Sequence, residues 1–380
     1  MSDSATILCI TNDFGPRAGG IETFVIGLIE RMPFGSVLVY TSQQGDTAAY
    51  DQQWLEKYGV EVIRDKSKVL LPSFRVGRAV SALVRQRGIR KVFFGAAAPL
   101  GLLAHSLRRA GVTRIVALTH GHEVWWAKLW PFTWAIRHIG NGVDVLTYLG
   151  EFTRKAISRS LSERAQKSMV RIAPGIDTAH FAPDATADQL KRELDLEGKR
   201  VIVSVGRLVH RKGQDTLVES LPQILKSFPD AHILFVGVGP HLEYIHKRAI
   251  QLDVLNHISF VGRVKYAELP RFISVGDVFA MPSRSRLAGL EVEGLGIVYL
   301  EASACELPVV GGLSGGAPDA LLEGETGFAA DGLNPESVAQ SVITLFEDPA
   351  KAREMGKRGR QWIIDEWEWR HWSKKFNDLF

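Results

Sequence analysis

The chain has 380 residues, of which 46% are hydrophobic and 23% charged, a composition typical of a soluble globular protein with more than one domain. Its net charge of +4 hides an asymmetry, because residues 1–180 carry 23 basic and 14 acidic side chains, while the remainder carries 23 and 28. No signal-peptide pattern and no run of about 20 apolar residues is present, and the two cysteines, Cys9 and Cys305, lie in apolar segments. These features argue against a secreted disulfide scaffold and an integral membrane protein, and we expect a cytoplasmic protein.

Apolar segments alternate with amphipathic helical patterns along the first half of the chain. Helices are predicted, for example, at residues 22–31 and 99–109. Because strands that alternate with helices form a parallel sheet covered on both faces, this half predicts a doubly wound α/β domain. Its predicted buried strands are residues 5–11, 36–41, 89–94, 114–119 and 143–148.

The second half repeats this scheme and predicts another Rossmann-like domain. We expect a cleft between the two domains to hold the ligand, because ligands of such folds bind at the carboxyl ends of the strands. The predicted strands are residues 201–206, 232–236, 258–261, 278–281 and 308–310. The predicted organisation is a first domain at 1–172, a linker at 173–185, a second domain at 186–362, and an aromatic helix at 363–380 that crosses back to the first domain.

A basic amphipathic segment occupies residues 64–91 of the first domain. Apolar residues separate its charges, which favours a surface for anionic lipid. The alternative is an ordinary helix with an apolar core face and a solvated basic face. No nucleic-acid-binding motif accompanies the charge, so nucleic acid is not an expected partner. Asp65 is the one acidic residue beside Arg64, Lys66, Lys68, Arg75, Arg78, Arg85, Arg87, Arg90 and Lys91.

Two loops that follow predicted strands have features that bind anions. Gly19 and Gly20 precede an apolar helix, which allows the backbone and the helix N-terminus to approach a phosphate closely. After the strand at 201–206, Arg207 and Lys212 flank a short loop, and a guanidinium with an ammonium suits a pyrophosphate. A plain glycine turn and a solvated pair of cations are the alternatives.

The most informative segment is E-G-L-G-I-V-Y-L-E, which begins at Glu293 and ends at Glu301. Gly294 and Gly296 lie where a helix is predicted to begin, and the unpaired N–H groups of a helix start favour phosphate. A carboxylate one turn further on instead accepts hydrogen bonds from sugar hydroxyls. The segment therefore predicts a binding site for a phosphorylated sugar or a nucleotide, and a glycine turn at 260–264 is suited to border a flat base.

Several motifs occur together in one order along the chain: G-G-I-E, T-H-G, G-R-L with a later K-G, two glutamates eight positions apart, and G-G-A-P-D before G-E-T-G-F. This set resembles the retaining glycosyltransferases of family 4, which have the GT-B fold, over essentially the whole chain. Within that family the sequence is most similar to the GDP-mannose-dependent phosphatidylinositol mannosyltransferases of mycolic-acid actinobacteria. The resemblance implies transfer of mannose from GDP-mannose to the inositol 6-hydroxyl of a phosphatidylinositol monomannoside, as the second mannose.

The resemblance also assigns catalytic roles to individual residues. Arg207 and Lys212 would neutralise the nucleotide diphosphate as it leaves, and Glu293 would bind the donor hexose. His120 would lie beside the transferred sugar, with His122 as the alternative. Because no D-x-D motif accompanies these residues, the two cations are expected to replace a divalent ion, and neither a metal nor a cofactor is predicted.

A larger set is predicted to bind the donor, with Glu301 on the ribose hydroxyls and backbone groups at the start of the following helix on the phosphate. The predicted donor-binding residues are Gly19, Gly20, Arg207, Lys212, Gly262, Val264, Glu293, Gly296, Ile297, Val298 and Glu301. Family members often have E-P-F-G where this chain has E-G-L-G, so the loop of Glu293 lacks a proline that is common in the family.

Three alternatives remain open at this stage. The enzyme could use another donor, such as UDP-GlcNAc, or a soluble acceptor. The chain could instead bind a sugar nucleotide or a lipid without catalysing transfer. A lipid acceptor and the basic first domain together lead us to expect peripheral association with the inner face of the plasma membrane.

Overall fold

The computed structural model describes residues 7–16 and 19–380, so the strand predicted at 5–11 begins outside the described residues. The chain forms two compact units. Unit 1 extends to Gly175 and also includes Trp369–Phe380, while unit 2 is the continuous segment Ile176–Glu368. The chain therefore leaves unit 1, forms all of unit 2, and returns to unit 1.

Unit 1 is built around a parallel sheet whose inner strands are buried on both faces. Its strands are β1 (Ile7–Thr11), β2 (Val37–Ser42), β3 (Glu61–Asp65), β4 (Lys91–Phe94), β5 (Arg114–Ala117), β6 (Val145–Tyr148) and β7 (Met169–Arg171). Over the described residues they run in the order β3-β2-β1-β4-β5-β6-β7. The order reverses direction beside β1, and such a switch point places the loops after β1 and β4 next to each other.

Helices cover both faces of this sheet. They are α1 (Gly20–Ile29), α2 (Ala48–Tyr58), α3 (Phe74–Arg87), α4 (Ala104–Ala110), α5 (Glu123–Trp126), α6 (Phe132–Gly142), α7 (Glu151–Ser158), α8 (Glu163–Lys167) and, from the end of the chain, α16 (Trp369–Asn377). Helix α16 packs on unit 1 through aromatic contacts, because the ring centroid of Phe376 lies 5.3 Å from that of Phe93. The C-terminal segment is thus part of the core of unit 1.

Unit 2 repeats the architecture with a second parallel sheet. Its strands are β8 (Arg200–Val205), β9 (Ala231–Val236), β10 (Ile258–Gly262), β11 (Val278–Ala280), β12 (Val309–Gly312) and β13 (Gly327–Ala330). Among the described residues the order is β10-β9-β8-β11-β12-β13. The loops after β8, β11 and β12 therefore follow adjacent strands and emerge at the same edge of the sheet.

The helices of unit 2 are α9 (Ala187–Glu193), α10 (Gln214–Ser227), α11 (Leu242–Gln251), α12 (Leu269–Ser274), α13 (Ile297–Ala304), α14 (Pro335–Glu347) and α15 (Pro349–Trp362). A π-helical turn at Ile363–Trp367 follows α15 and precedes the return to unit 1. The predicted fold class, two doubly wound Rossmann-like α/β domains, is confirmed by these two sheets and their covering helices.

Candidate functional site

The loop between β8 and α10 positions two of the predicted cationic residues. Arg207 is exposed directly after the strand, whereas the side chain of Lys212 is largely buried. Helix α10 begins after Gly213, which has a left-handed φ of 72° and no space for a side chain, since a Cβ there would overlap the carbonyl oxygen of Pro282. The N-terminus of α10 therefore lies against the loop after β11 without a side-chain cap, and its dipole adds to the positive field of the two cations.

Two cations of this loop, Lys212 and Arg211, converge on Glu293. Its Oε2 atom lies 2.8 Å from Nζ of Lys212 and 2.7 Å from Nη1 of Arg211. Burial by itself raises the pKa of Glu293, but Lys212 and Arg211 outweigh this effect and hold the pKa below its ordinary value. The carboxylate is therefore ionised at neutral pH and suited to accept hydrogen bonds.

Arg211 was not among the predicted site residues. The sequence R-K-G contains it next to Lys212, but the letters do not indicate which of two adjacent cations points inward. In the structure both do, because the 3₁₀ turn His210–Lys212 directs the two side chains to one carboxylate. The sequence signal here is the pair of neighbouring cations before a helix-starting glycine, which marks the pair without distinguishing its two members.

The segment that carries Glu293 is fixed by close backbone contacts rather than by a proline. Gly316 donates its backbone N–H to the carbonyl oxygen of Glu293 at 2.7 Å. Gly296 has a left-handed φ of 81°, and a Cβ at this position would overlap the ring of Tyr299. The Tyr299 hydroxyl in turn donates to the carbonyl oxygen of Met281 at 2.6 Å. These contacts join the loops after β11 and β12 to the start of α13.

Helix α13 presents its first N–H groups and a buried carboxylate at this start. Gly296 is its N-cap and supplies no side-chain acceptor, so the N–H groups of Ile297 and Val298 have no cap and can meet a phosphate. Glu301 lies one turn further on and is buried. Burial raises the pKa of Glu301 to about 7, and Lys212 acts in the opposite direction. The two glutamates thus differ, because only Glu293 has cations at contact distance.

Gly262 is the last residue of β10, at the edge of the sheet, and Val264 lies in the loop that follows. Gly262 has a left-handed φ of 82°, and its carbonyl oxygen accepts the N–H of Gly237 at 2.7 Å. No atom lies within 4 Å of the place where its Cβ would be, and Val264 is half-buried. This open, partly apolar edge is compatible with the predicted contact to a base.

In unit 1, His120 is a buried histidine at the end of β5. Its Nε2 atom lies 2.7 Å from the carbonyl oxygen of Gly95, and since a carbonyl only accepts, Nε2 carries the proton and Nδ1 is left as an acceptor. Burial lowers the pKa of His120, so the ring is neutral at pH 7. It is therefore suited to accept a hydrogen bond from a hydroxyl, and not to act as a cation.

His122 differs from its neighbour in exposure and in partners. Its Nε2 atom lies 3.2 Å from Oε1 of the buried Glu123, whose Oε2 atom accepts the backbone N–H of His120 at 2.8 Å. The two imidazole rings stack with their centroids 6.0 Å apart. The structure thus brings both predicted histidines to one place, and the choice of His120 for the sugar contact stays a prediction.

Gly19 and Gly20 lie at the start of α1 in the same unit. Gly19 is extended and precedes the helix, and the Cβ position of Gly20 is open. Phe24 of this helix packs edge-on against the ring of His120, with the centroids 5.7 Å apart. The glycine pair and His120 therefore belong to one neighbourhood, at the carboxyl ends of β1, β4 and β5.

The segment 64–91 contains fewer unpaired charges than the sequence suggests. Arg64 is buried in a bidentate ion pair with Asp51, at 2.7 Å, and Arg87 pairs with Glu61 at 2.8 Å. The two acids lie outside the segment in sequence, so Asp65 is not the only acidic partner. Asp65 itself binds Arg75.

What remains exposed is a mixed basic and apolar area, which we call the basic surface. Helix α3 buries Val76, Val80 and Val84 and is amphipathic as predicted. Phe74 at its start is 96% exposed, and a cavity of about 380 Å³ is lined by Phe74, Arg75 and Arg78 among others. The basic surface consists of Lys66, Lys68, Val69, Leu71, Phe74, Arg78 and Arg85. Along the described chain, no helix has both the length and the apolar character required to cross a bilayer.

Comparisons with known proteins place this geometry in a family. The model of "Glycosyltransferase Family 4" matches residues 18–180, and that of "Glycosyl transferases group 1" matches residues 186–362. The chain is 42% identical, over 98% of its length and 97% of the relative, to the GDP-mannose-dependent alpha-(1-6)-phosphatidylinositol monomannoside mannosyltransferase of Mycolicibacterium smegmatis. It is 36% identical to a Corynebacterium glutamicum enzyme whose name adds a monoacylated acceptor, over 100% of this chain and 98% of the relative.

Solved structures agree on the fold. The Anabaena protein HepE in complex with UDP superimposes with a TM-score of 0.82 at 18% identity, over 98% of both chains. Sucrose-phosphate synthase of Thermosynechococcus elongatus gives a TM-score of 0.77 at 20% identity, with the same coverage. The predicted resemblance is therefore confirmed: the chain belongs to the family 4 glycosyltransferases and has their fold of two Rossmann-like domains.

Proposed function

We propose that the protein transfers mannose from GDP-mannose to the inositol 6-hydroxyl of a phosphatidylinositol monomannoside. The observation that carries the proposal is 42% identity to the Mycolicibacterium enzyme across 98% of the chain. A relationship of this length includes both units, and therefore the residues that would contact donor and acceptor alike. The convergence of Arg211, Lys212 and Glu293 in unit 2 supports a donor that carries both a diphosphate and a sugar.

In the proposed reaction, the bond between the anomeric carbon of mannose and the phosphate oxygen breaks, and a bond from that carbon to the inositol oxygen forms on the same face. The proton of the inositol hydroxyl passes to the leaving diphosphate. Positive charge builds on the sugar and negative charge on the diphosphate. Arg207 and Lys212 would stabilise the latter, and each preorganised group of this kind contributes about 3 kcal/mol.

The remaining residues are proposed to bind and orient the donor. Glu301 would accept hydrogen bonds from the ribose hydroxyls, while the N–H groups at the start of α13 face the phosphates. Glu293 would accept hydrogen bonds from the mannose hydroxyls, because its two cations keep it ionised. His120 would accept another through Nδ1, since Nε2 is engaged by Gly95. No divalent ion and no cofactor has a part in this proposal.

The proposed acceptor is a membrane lipid, so we also propose that unit 1 binds the inner leaflet through the basic surface. Anionic headgroups attract exposed lysine and arginine side chains by about 1 kcal/mol each near a membrane. Phe74 and Leu71 are exposed among these cations, and they would enter the interfacial region of the bilayer. The protein would then be peripherally associated with the plasma membrane.

The proposal is tested with purified protein, GDP-[14C]mannose and a lipid extract that contains phosphatidylinositol monomannoside, in parallel with labelled UDP-sugars. We expect labelled lipid from GDP-mannose alone, and loss of the label with Arg207→Ala. Lys247→Ala, on the exposed face of α11, serves as a matched control and keeps full activity. Labelled product from a UDP-sugar would show that the donor is that UDP-sugar and not GDP-mannose. Binding of GDP without any product would favour a non-catalytic sugar-nucleotide-binding protein.

A further inference from the structure

Beneath the cationic loop of unit 2 lies a cluster that has the composition of a metal site. His210, Asp215 and His241 each offer one ligand atom, and these atoms lie within 4.8 Å of one another. A guanidinium fills this position, however. Nη2 of Arg284 lies 2.5 Å from Oδ2 of Asp215 and 2.7 Å from Nδ1 of His210. Because a divalent ion here would be repelled at contact distance, Arg284 is itself the cation of the cluster.

Arg284 joins the loops that follow three strands of the sheet. It follows β11 and is only 6% exposed. Its Nη1 atom donates to Oγ1 of Thr216 at 2.6 Å, and Thr216 donates to the carbonyl oxygen of Gly332, in the loop after β13, at 2.8 Å. Its backbone N–H donates to the carbonyl oxygen of Arg211 at 2.8 Å, in the loop after β8. The side chain and the backbone of Arg284 thus both hold the β8–α10 loop, which carries Arg207 and Lys212.

The charges around Arg284 require a defined protonation state. His210 accepts a hydrogen bond from Arg284 through Nδ1, so Nδ1 must be unprotonated. Burial, and to a smaller extent the charge of Arg284, lowers the pKa of His210. Burial raises the pKa of Asp215, but Arg284 outweighs this and keeps the pKa below its ordinary value. At neutral pH the guanidinium of Arg284 is therefore paired with the carboxylate of Asp215 and with the unprotonated Nδ1 of His210.

We propose that Arg284 is a positioning residue that holds the β8–α10 loop in the geometry in which Arg207 and Lys212 meet the diphosphate. The inference rests on the proposed function, since it concerns the same donor site. Arg284 does not touch the donor in this proposal. Its side chain acts through the ring of His210 in the β8–α10 loop, and through Asp215 and Thr216 in the first turn of α10. These contacts determine where the two cations point.

The test compares GDP and GMP, because they differ only in the β-phosphate that the cations of this loop would bind. Kd values for both are measured by calorimetry with the full-length protein. Arg284→Met is expected to lower the preference for GDP over GMP by about tenfold while GMP affinity stays unchanged. Arg284→Lys, which keeps the charge but lacks the planar fork, is expected to fall between Arg284→Met and the wild type.

A matched control separates positioning from general destabilisation. Arg64→Met in unit 1 removes an equally buried arginine from its bidentate pair with Asp51, and it is expected to leave the GDP/GMP preference unchanged. If Arg284→Met does not fold, Thr216→Val removes one acceptor at constant shape and is expected to reduce the preference about threefold. A folded Arg284 or Thr216 variant with the wild-type preference would overturn the inference. A wild-type protein that does not distinguish GDP from GMP would overturn the proposed diphosphate role itself.

Discussion

The Nζ atom of Lys212 lies 2.8 Å from the Oε2 atom of Glu293, and the two largely buried side chains form an ion pair. This contact joins two roles that the sequence motifs assign separately, one to the leaving diphosphate and one to the donor sugar. Arg211 contributes a second cation to the same oxygen. Glu293 is thereby fixed as an ionised acceptor, and a role as a general acid at neutral pH is disfavoured.

Removal of either predicted phosphate-binding cation should slow the reaction. Arg207→Ala and Lys212→Ala are each expected to reduce turnover at least about tenfold, because each removes charge that stabilises the leaving group. Arg207 is exposed, so its variant should keep the melting temperature of the wild type. Initial rates at saturating GDP-mannose, together with thermal melts, check both statements. Wild-type turnover in either variant would contradict the phosphate role.

The Lys212–Glu293 pair should also show energetic coupling. A double-mutant cycle with Lys212→Met and Glu293→Gln is expected to give a coupling in the free energy of unfolding of about 1–3 kcal/mol, because removing one partner leaves the other charge buried. The exposed ion pair between Lys247 and Glu243 provides the comparison with the buried pair. Because solvent screens exposed charges, this pair should show no measurable coupling. Additive effects of the two buried substitutions would show that the contact is incidental.

Donor affinity should depend on pH through Glu301. Because the pKa of Glu301 is about 7, the carboxylate ionises as the pH rises through neutrality, and the ionised form accepts stronger hydrogen bonds from ribose hydroxyls. GDP affinity is therefore expected to rise between about pH 6 and pH 8. Calorimetry across this range should show a smaller rise for Glu301→Gln, in which the terminal phosphate of GDP, with a pKa of about 6, still titrates. An undiminished rise in the variant would show that Glu301 does not contribute.

The same raised pKa has the opposite effect on folding. A carboxyl whose pKa is higher in the folded state stabilises the fold below its ordinary value of 4.5, and this stability is lost as the pH rises through about 7. Glu301→Gln should therefore gain stability relative to the wild type at about pH 8 and not at about pH 4. Urea unfolding at the two pH values measures this difference, and an equal effect at both would be inconsistent with the raised pKa.

Gly296→Ala should disturb the donor site beyond the effect of backbone strain. The position combines a φ of 81° with a Cβ that would overlap the Tyr299 ring. Gly198 is a suitable control, because its φ is 75° but nothing lies within 4 Å of its Cβ position. Gly198→Ala is expected to cost about 1 kcal/mol of stability and to keep GDP affinity. Gly296→Ala should cost more and weaken GDP binding, and equal behaviour of the two variants would remove the packing argument.

The basic surface predicts a defined lipid preference. In a sedimentation assay, vesicles that contain phosphatidylinositol should bind the wild-type protein more strongly than neutral vesicles do. This binding should weaken as the salt concentration rises. Phe74→Ser together with Arg78→Glu is expected to abolish most of this binding. Phe34→Ser is a matched control, because Phe34 is 73% exposed and lies outside the basic surface. Undiminished binding of the double variant would move the membrane contact elsewhere.

Much of the fold was predictable because its inner strands are continuous apolar runs. The predicted strand at 201–206 corresponds to β8 at Arg200–Val205, and that at 232–236 to β9 at Ala231–Val236. The strands that the sequence did not reveal are β3, β7 and β13, all at sheet edges. Edge strands pair on one side only and here are short or carry charged residues, so they lack the apolar signal.

The candidate site was predictable where motif and geometry coincide, and not where geometry alone decides. Glu301 lies on α13 as its spacing from Gly296 indicates. Arg211 and Arg284 could not be chosen from the sequence, because R-K-G and S-R-S-R each contain adjacent or alternating polar residues of equal chemistry. Which of them points inward is determined by the turn after β8 and by the loop after β11, whose conformations depend on contacts distant in sequence.

The chain passes from unit 1 to unit 2 and back again, and this connectivity determines what a single proteolytic cut would produce. A protease that cuts once within Ile176–Glu368 would leave unit 1 as two pieces with no peptide bond between them, on opposite sides of the nick. Those pieces would stay associated through Phe376, which is fully buried against Phe93, and through the carbonyl oxygen of Leu379, which accepts from Arg114 at 2.6 Å. Unit 1 should therefore behave as a fragment-complemented assembly, in which the segment Trp369–Phe380 of the C-terminal piece completes the core formed by the N-terminal piece.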